Sequence, residues 1–291
     1  MTNTGGEQTV ESREELQARV RHTLVRLSRS GELPSLPAVA TAALAIARDP
    51  MADVDKLCRV IQTDVGIAAR VLRVANSAIY SQRRPAKTLN QAVTTIGFRT
   101  MSDILMAASL RSLFDAKSPY AQRLWDHALA VALACEEVAR TTGNVQVGTC
   151  FLPGLLHDIG RVVFLFTDPA PLDVIANLLA DGEGQQSQLE VEWYGFDHAA
   201  ASATLAEEWG VAAEACDAVR WHHEPASASA GRKMAEIINV ADRLIYTIGL
   251  GTGPVPPPSA TIPGLALAPE EEAACAARAR EAFDTQRSLF Q

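Results

Sequence analysis

Apolar residues recur along this chain at helical spacing, and capping residues or helix breakers separate one apolar run from the next. Asp53 and Asp64 each precede such a run, where a carboxylate oxygen can accept the free backbone N–H groups of a first helical turn. Ser118-Pro119 opens a longer run, with proline at the position where helices tolerate it. The alternation that marks a β-strand is never sustained, and its nearest approach, 162–166, is too short to found a sheet. The pattern therefore predicts an all-α fold.

Shifts in composition divide the chain further. The linker between the central domain and the C-terminal helix holds five prolines and four glycines, which predicts a semi-rigid segment outside the core. The last helix opens on three glutamates, which favour a helix N-terminus, and we expect it to be a peripheral cap or tail. The predicted segments are a tail and helix over 1–30, a domain over 31–248 with an N-terminal half 31–115 and a second half 116–248, the linker over 249–268, and the helix over 269–291.

Composition narrows the class of protein. A hydrophobic content of 48% supports a substantial core, and a formal charge of −8 argues against a general nucleic-acid binder, which would carry a basic surface. Five widely spaced cysteines without a Cys-x-x-Cys pair suggest buried thiols in a reducing compartment. No apolar run approaches the ~18 residues of a membrane span, and no signal segment opens the chain. We expect a cytoplasmic protein with neither nucleic acid nor membrane as its partner.

The adjacent pair His157-Asp158 carries the strongest chemical signal. It stands at the end of an apolar stretch, where unpaired polar groups cost several kcal/mol. A metal ion would stabilise such a pair, and so would a set of internal hydrogen bonds. A single histidine on an apolar helix is more often a hydrogen-bonded core residue than a ligand.

Further imidazoles and a carboxylate lie in the same half of the chain. Of the six histidines, only His22 falls outside this half. Imidazole and carboxylate ligands together suit zinc, iron, manganese or nickel, and two such ions can clamp a phosphate for hydrolysis. A network of mutual hydrogen bonds would look the same in sequence. We expect these side chains to converge in space: His127, His157, Asp158, His198, His222, His223 and Asp242.

A basic cluster in the N-terminal half is a second candidate. Arg70 and Arg73 are three residues apart and share a helix face. Arg83, Arg84 and Lys87 follow in a predicted loop. Arginines can bind phosphates or partner carboxylates with two parallel hydrogen bonds. A solvated helix face followed by a charged loop is the alternative interpretation.

Several motifs, in order along the chain, resemble the HDOD (HD-related output domain) family over roughly residues 31–248. The resemblance implies a helical bundle distantly related to HD-type metal phosphohydrolases, with 116–248 as the HD-like half. It also implies a bacterial signalling output module that acts through protein contacts and not through catalysis. The segments that carry it are Leu33–Val39, Asp64–Ala78, Ala92–Phe98, Leu124–His127, Gly154–Gly160, Gly195–His198 and Trp221–Pro225.

The resemblance extends to HD-GYP phosphodiesterases, which cleave cyclic di-GMP. Their metal ligands would correspond to the seven histidines and aspartates above. Two features depart from the hydrolases: Arg161 stands where they place a lysine near the substrate phosphate, and His223-Glu224 leads directly to Pro225, without the Gly-Tyr-Pro loop. Arg161 is therefore a candidate ligand-binding residue and no catalytic residue is assigned. We expect a signalling module that binds a protein partner or a nucleotide second messenger. The rival is a metal-dependent phosphohydrolase, such as a cyclic-nucleotide phosphodiesterase, and a third interpretation is a purely structural scaffold.

Overall fold

The computed structural model describes residues 13–30, 36–47, 49, 51–77, 85–114, 118–253, 265 and 267–290. These residues form α-helices and short 3-10 turns and contain no strand, which confirms the all-α fold. The N-terminal helices are α1 (Arg13–Ser30), α2 (Ala38–Ala47), α3 (Val54–Gln62), α4 (Val65–Ala75), α5 (Leu89–Ile96) and α6 (Phe98–Leu110). The second half contains α7 (Pro119–Thr142), α8 (Phe151–Leu156), α9 (Gly160–Thr167), α10 (Ala170–Ala180), α11 (Gln186–Tyr194), α12 (His198–Glu208), α13 (Ala213–Arg220) and α14 (Arg232–Thr247), and α15 (Pro269–Gln286) follows.

The predicted caps begin the helices as the sequence indicates. Asp53 accepts the Lys56 N–H at 2.7 Å at the start of α3, and Asp64 accepts the Ile67 N–H at 2.9 Å at the start of α4. Ser118 caps α7 in the same way. Each cap satisfies a backbone donor that the first helical turn leaves unpaired.

Helix α7 runs through the centre of the second half, and α8, α14 and α15 pack around it. Its buried face is rich in alanine, so neighbouring helices approach closely. At Gly154 in α8 a Cβ atom would lie 2.8 Å from Cys135 Sγ and 3.1 Å from Ala132 Cα. Only glycine permits this approach, which fixes the position of the helix that leads into His157.

The C-terminal region differs from its prediction. Helix α15 is not peripheral: Cys275, Ala279 and Phe283 are buried against the core. Within the predicted linker, Leu250 packs against the core and Leu265 is buried, and the bounds 249–268 stay a prediction. The apolar pattern underestimated the burial of α15 because it shows the amphipathic face of a helix and does not show what covers that face.

All five cysteines are free and buried, as the absence of a disulfide pattern predicts. No helix in the described part of the chain has the length and apolar character needed to cross a lipid bilayer.

Candidate metal centre

Five helices or helix ends deliver the predicted ligand residues to one place. His127 lies within α7, Asp242 lies within α14, and His198 begins α12. His157-Asp158 follows α8 directly, and His222-His223 follows α13. The structure brings all seven side chains together, and every one except His223 is buried.

Four of these residues form a first cluster: His127, His157, Asp158 and Asp242. Asp158 Oδ2 lies 3.6 Å from the Nε2 atoms of both His127 and His157. Asp242 Oδ1 lies 3.1 Å from His127 Nε2 and 3.9 Å from His157 Nε2. Two imidazoles and two carboxylates therefore face a common point.

The second cluster consists of His198, His222 and His223, whose ligand atoms lie within 4.8 Å of one another. His198 Nε2 and His223 Nε2 are 2.8 Å apart. Asp158 links the clusters: its Oδ1 lies 3.3 Å from His198 Nε2, while its Oδ2 faces the first cluster. A carboxylate in this position can bridge two ions.

The outer nitrogen of each buried imidazole is held by an acceptor. Nδ1 of His157 lies 2.7 Å from the Gly154 carbonyl oxygen, and Nδ1 of His222 lies 2.7 Å from that of Val219. Nδ1 of His127 donates to the Leu250 carbonyl oxygen at 3.0 Å. Because a carbonyl can only accept, each Nδ1 carries the proton and each Nε2 presents a lone pair to the centre.

Helix ends explain part of this arrangement. The last carbonyl groups of a helix have no intrahelical partner. His157 follows α8 and His222 follows α13, and each returns its Nδ1–H to a carbonyl oxygen three residues earlier. This hydrogen bond gives a partner to a free carbonyl group at the helix end, and it also orients the imidazole.

The inward-facing atoms fit a metal ion. Nε2 of His127, His157 and His222 and both oxygens of Asp158 are buried without a hydrogen-bond partner, as is Asp242 Oδ1. Lone pairs that face one another at 3–4 Å without a proton between them repel, and burying them costs free energy. A divalent cation would satisfy all of them, so the donor set fits a metal that prefers nitrogen and oxygen ligands.

Electrostatics keeps most of these candidate ligands in the protonation state that metal binding would need. Burial lowers the pKa of His157. Burial and the imidazoles that neighbour His222 together lower the pKa of His222 well below its usual value. Burial alone would raise the pKa of Asp158, but Arg161 and three imidazoles outweigh it and hold that pKa well below its usual range. At neutral pH the imidazoles of His157 and His222 are therefore neutral, and the Asp158 carboxylate is ionised.

His198 is the exception. Burial disfavours its imidazolium form, yet the Glu190 carboxylate outweighs burial and raises the pKa of His198. His198 Nδ1 lies 2.5 Å from Glu190 Oε2, and the same oxygen accepts the His198 backbone N–H. Such a carboxylate behind a metal-facing imidazole strengthens it as a ligand.

Sequence reasoning missed Glu190, because α10 and α11 occupy a stretch to which the apolar pattern assigns no element. Its one sequence signal is a carboxylate between Leu189 and Val191. Gly160, by contrast, stands in the predicted motif: a Cβ there would lie 2.3 Å from the His198 carbonyl oxygen. The absence of that Cβ lets α9 approach the start of α12.

Arg161 is buried beside the first cluster. Its Nε lies 3.1 Å from Asp158 Oδ2, and its NH1 donates to Thr252 Oγ1 at 2.8 Å. The Thr252 hydroxyl also lies 3.1 Å from the Tyr246 hydroxyl. Leu250 and Thr252, both in the predicted linker, therefore hold His127 and Arg161 in place.

The other predicted arginines are not part of this centre as far as the structure describes them. Arg70 in α4 donates to the Ala108 carbonyl oxygen of α6 at 3.2 Å, and Arg73 is exposed. Arg83 and Arg84 lie outside the described residues. Binding of a ligand or partner at these arginines stays a prediction.

Comparison with known proteins agrees with the fold. The model of the HDOD domain family matches residues 33–225. An uncharacterized protein of Treponema pallidum (strain Nichols) is 22% identical over 196 residues, which cover 67% of this chain and 38% of that protein. The match thus spans well under half of the relative's length.

Three solved structures share most of the architecture. An HDOD domain protein of unknown function from Geobacter sulfurreducens superposes with a TM-score of 0.74 at 24% identity, covering 95% of this chain and 92% of that one. A Marinobacter aquaeolei VT8 protein, provisionally named a signal transduction protein, gives 0.71 at 23%, covering 94% and 65%. A Shewanella amazonensis SB2B protein, provisionally named a phosphohydrolase, gives 0.67 at 22%, covering 92% and 91%. At these identities the likeness shows the fold.

Proposed function

This chain belongs to the HDOD domain family, and we propose that it is a bacterial signalling output module that holds divalent metal in its second half and acts by binding a protein partner. One observation carries the metal: the Nε2 atoms of His127 and His157, buried and unpartnered, each lie 3.6 Å from the equally unpartnered carboxylate of Asp158. Iron, manganese, zinc and nickel all suit these ligands.

Binding without turnover is favoured by the surroundings of the clusters. A catalytic metal keeps a coordination position open to substrate, whereas six of the seven ligand residues here are buried. Arg161 Nε already lies 3.1 Å from Asp158 Oδ2, and its guanidinium is tied to Thr252. Pro225, where the hydrolases carry their loop, is buried and begins a 3-10 turn.

Metal content tests the first part of the proposal. Wild-type protein, as purified and after reconstitution with each of the four metals, should retain stoichiometric metal on elemental analysis. Asp158→Ala should retain none, and the control Asp173→Asn, which changes an exposed carboxylate on α10, should match wild type. If every wild-type preparation contains no more metal than its buffer, the proposed metal centre is refuted.

Phosphohydrolysis is the second candidate, and one observation favours it: the oxygens of Asp158 face the two clusters separately. Two ions held this way would supply a hydroxide nucleophile and a clamp for phosphate. We expect no appreciable hydrolysis of cyclic di-GMP or of simple phosphodiesters. Manganese- or iron-dependent turnover that disappears in Asp158→Ala would establish the hydrolase instead.

The partner is tested separately. Wild-type protein and the exposed-residue variant Arg73→Ala should be compared in pull-downs from native cell extract, with bound proteins identified by mass spectrometry. We expect a protein retained by wild type and depleted by the variant. Saturable binding of cyclic di-GMP without turnover would make a nucleotide the ligand.

A further inference from the structure

A cavity of about 340 Å³ lies between the two halves of the domain, away from the histidine–aspartate centre. Helices α2 and α6 of the N-terminal half form one side, and α8, α13 and α14 form the other. Small-molecule sites typically span ~300–1000 Å³. This volume suits one molecule of metabolite size and is too small for a dinucleotide.

The walls of the cavity are mainly apolar. Leu44, Phe98, Leu152, Val211 and Met234 contribute side chains from both halves. Such a lining with a few polar groups is the usual composition of a ligand site.

Asp103 is one of the polar residues that line the cavity. Within the described residues its carboxylate forms neither a hydrogen bond nor an ion pair, although it lines the cavity. Burial and the nearby Glu136 raise the pKa of Asp103 well above its usual value, and Arg99 offsets only part of that effect. The cavity thus contains a carboxyl group that has no hydrogen-bonded or ion-paired partner among the described residues.

The neighbouring charges do not supply one. Arg99 Nε donates to the Gly148 carbonyl oxygen, and the Gly148 N–H donates to Glu136 Oε2 at 2.7 Å. Glu136 Oε1 is buried without a partner. The Arg99 guanidinium is thus the positive group that acts on both Asp103 and Glu136. When both carboxyl groups are ionised, one negative charge is left that a cationic ligand can balance.

From this geometry we infer that the cavity binds a small organic cation, a primary amine with an apolar body, whose ammonium group pairs with Asp103. The exposed carboxylate of Glu214 lines the same cavity and adds to its attraction for a cation. An apolar body would fill the apolar part of the cavity, which Phe98 and Met234 help to line.

The location suggests what such a ligand would influence. Helix α8 leads to His157, α13 leads to His222, and α14 carries Asp242. A bound amine would contact all three helices and the N-terminal half together. None of the lining residues is a candidate metal ligand, so amine binding does not depend on the proposed metal and should be unchanged by a chelator.

The probe is 2-phenylethylamine, with 2-phenylethanol as its uncharged counterpart. We expect the amine to bind in the millimolar range or tighter and about tenfold better than the alcohol, because a charge-assisted bond adds to the apolar contact. Isotope-labelled methionine methyl groups report the location by NMR: the Met234 signal should shift, while that of Met51, which is 85% exposed, should not.

Asp103→Asn decides the inference. The variant should fold, because Asp103 makes no hydrogen bond that it would lose, and it should bind the amine about ten- to a hundredfold more weakly. Asp173→Asn is the matched control and should bind as wild type does. The inference is overturned by equal binding of amine and alcohol, by an Asp103→Asn variant that retains the amine, or by no binding at about 10 mM.

Discussion

Asp158 and Asp217 are both buried aspartates of the second half, yet their carboxylates have opposite surroundings. Asp217 Oδ2 accepts hydrogen bonds from Ser229 N at 2.8 Å, Ser229 Oγ at 3.2 Å and Gly231 N at 2.9 Å. Asp158 accepts none, although Arg161 Nε and His198 Nε2 lie within 3.3 Å of its oxygens. The hydrogen-bonded carboxylate of Asp217 joins a loop to a helix. The carboxylate of Asp158, which accepts no hydrogen bond and lies among nitrogen lone pairs, has the surroundings of a cation ligand.

The largest effect should follow from removing Asp158. Asp158→Ala leaves the Arg161 guanidinium buried without its counter-charge, which typically costs ~3–5 kcal/mol of unfolding free energy. Asp158→Asn should cost less, because the amide keeps an acceptor oxygen. Chemical denaturation with and without chelator measures both. If Asp158→Ala is as stable as wild type under both conditions, the cluster is neither a metal site nor a structural network.

Asp217→Ala should cost about 2–3 kcal/mol, because buried backbone donors at the 228–231 turn lose their acceptor. This loss should be the same with metal and with chelator, since Asp217 faces neither cluster. Exposed Asp173→Asn is the control and should stay within ~0.5 kcal/mol of wild type. A chelator-dependent loss in Asp217→Ala would remove the distinction between the two aspartates.

Acid should destabilise the metal-free protein through the centre. The folded-state pKa values of His157 and His222 lie below their unfolded values, so the unfolded chain binds protons first as pH falls. Stability is therefore full above the unfolded pKa of about 6.5 and declines below it, by up to ~1.4 kcal/mol per pH unit for each histidine. Denaturation midpoints between about pH 7.5 and about pH 5.5 measure the slope. His157→Gln should flatten it, while exposed His22→Gln should not.

Thr252→Val should have the smallest effect, about 1–2 kcal/mol, because the buried Arg161 guanidinium loses one acceptor while the side-chain shape is kept. Thr94→Val, on the exposed face of α5, is the matched control. Thermal melting of the two variants compares them. Equal melting temperatures would mean that the 249–253 segment does not support the centre.

Local sequence was sufficient for most of the fold. Asp53, Asp64 and Ser118 cap helices because a cap needs only the N–H groups of the following turn. His157 and His222 are likewise oriented by carbonyl groups three residues earlier, so their tautomer follows from neighbouring residues. The seven predicted side chains come together; six of them stand in the motifs that carry the family resemblance, and Asp242 lies 17 residues beyond the last of these motifs.

Contacts distant in sequence were beyond local reasoning. His127 depends on the Leu250 carbonyl 123 residues away, and Arg161 depends on Thr252 91 residues away. Glu190 supports His198 from a helix without a strong apolar pattern. Composition assigned 249–268 to a linker because proline and glycine content describes chain stiffness and does not describe burial.

The sequence by itself determined that the chain is helical, where most helices begin, and which histidines and aspartates belong to one set. Only the tertiary structure decided that Asp158 lies between two clusters without a hydrogen bond, and that Asp103 lines a cavity without a bonded partner among the described residues. The physical reason is that capping and periodicity depend on residues within one helical turn. Whether a buried polar atom is satisfied depends on which distant side chains and carbonyl groups the packed helices bring within about 3 Å of it.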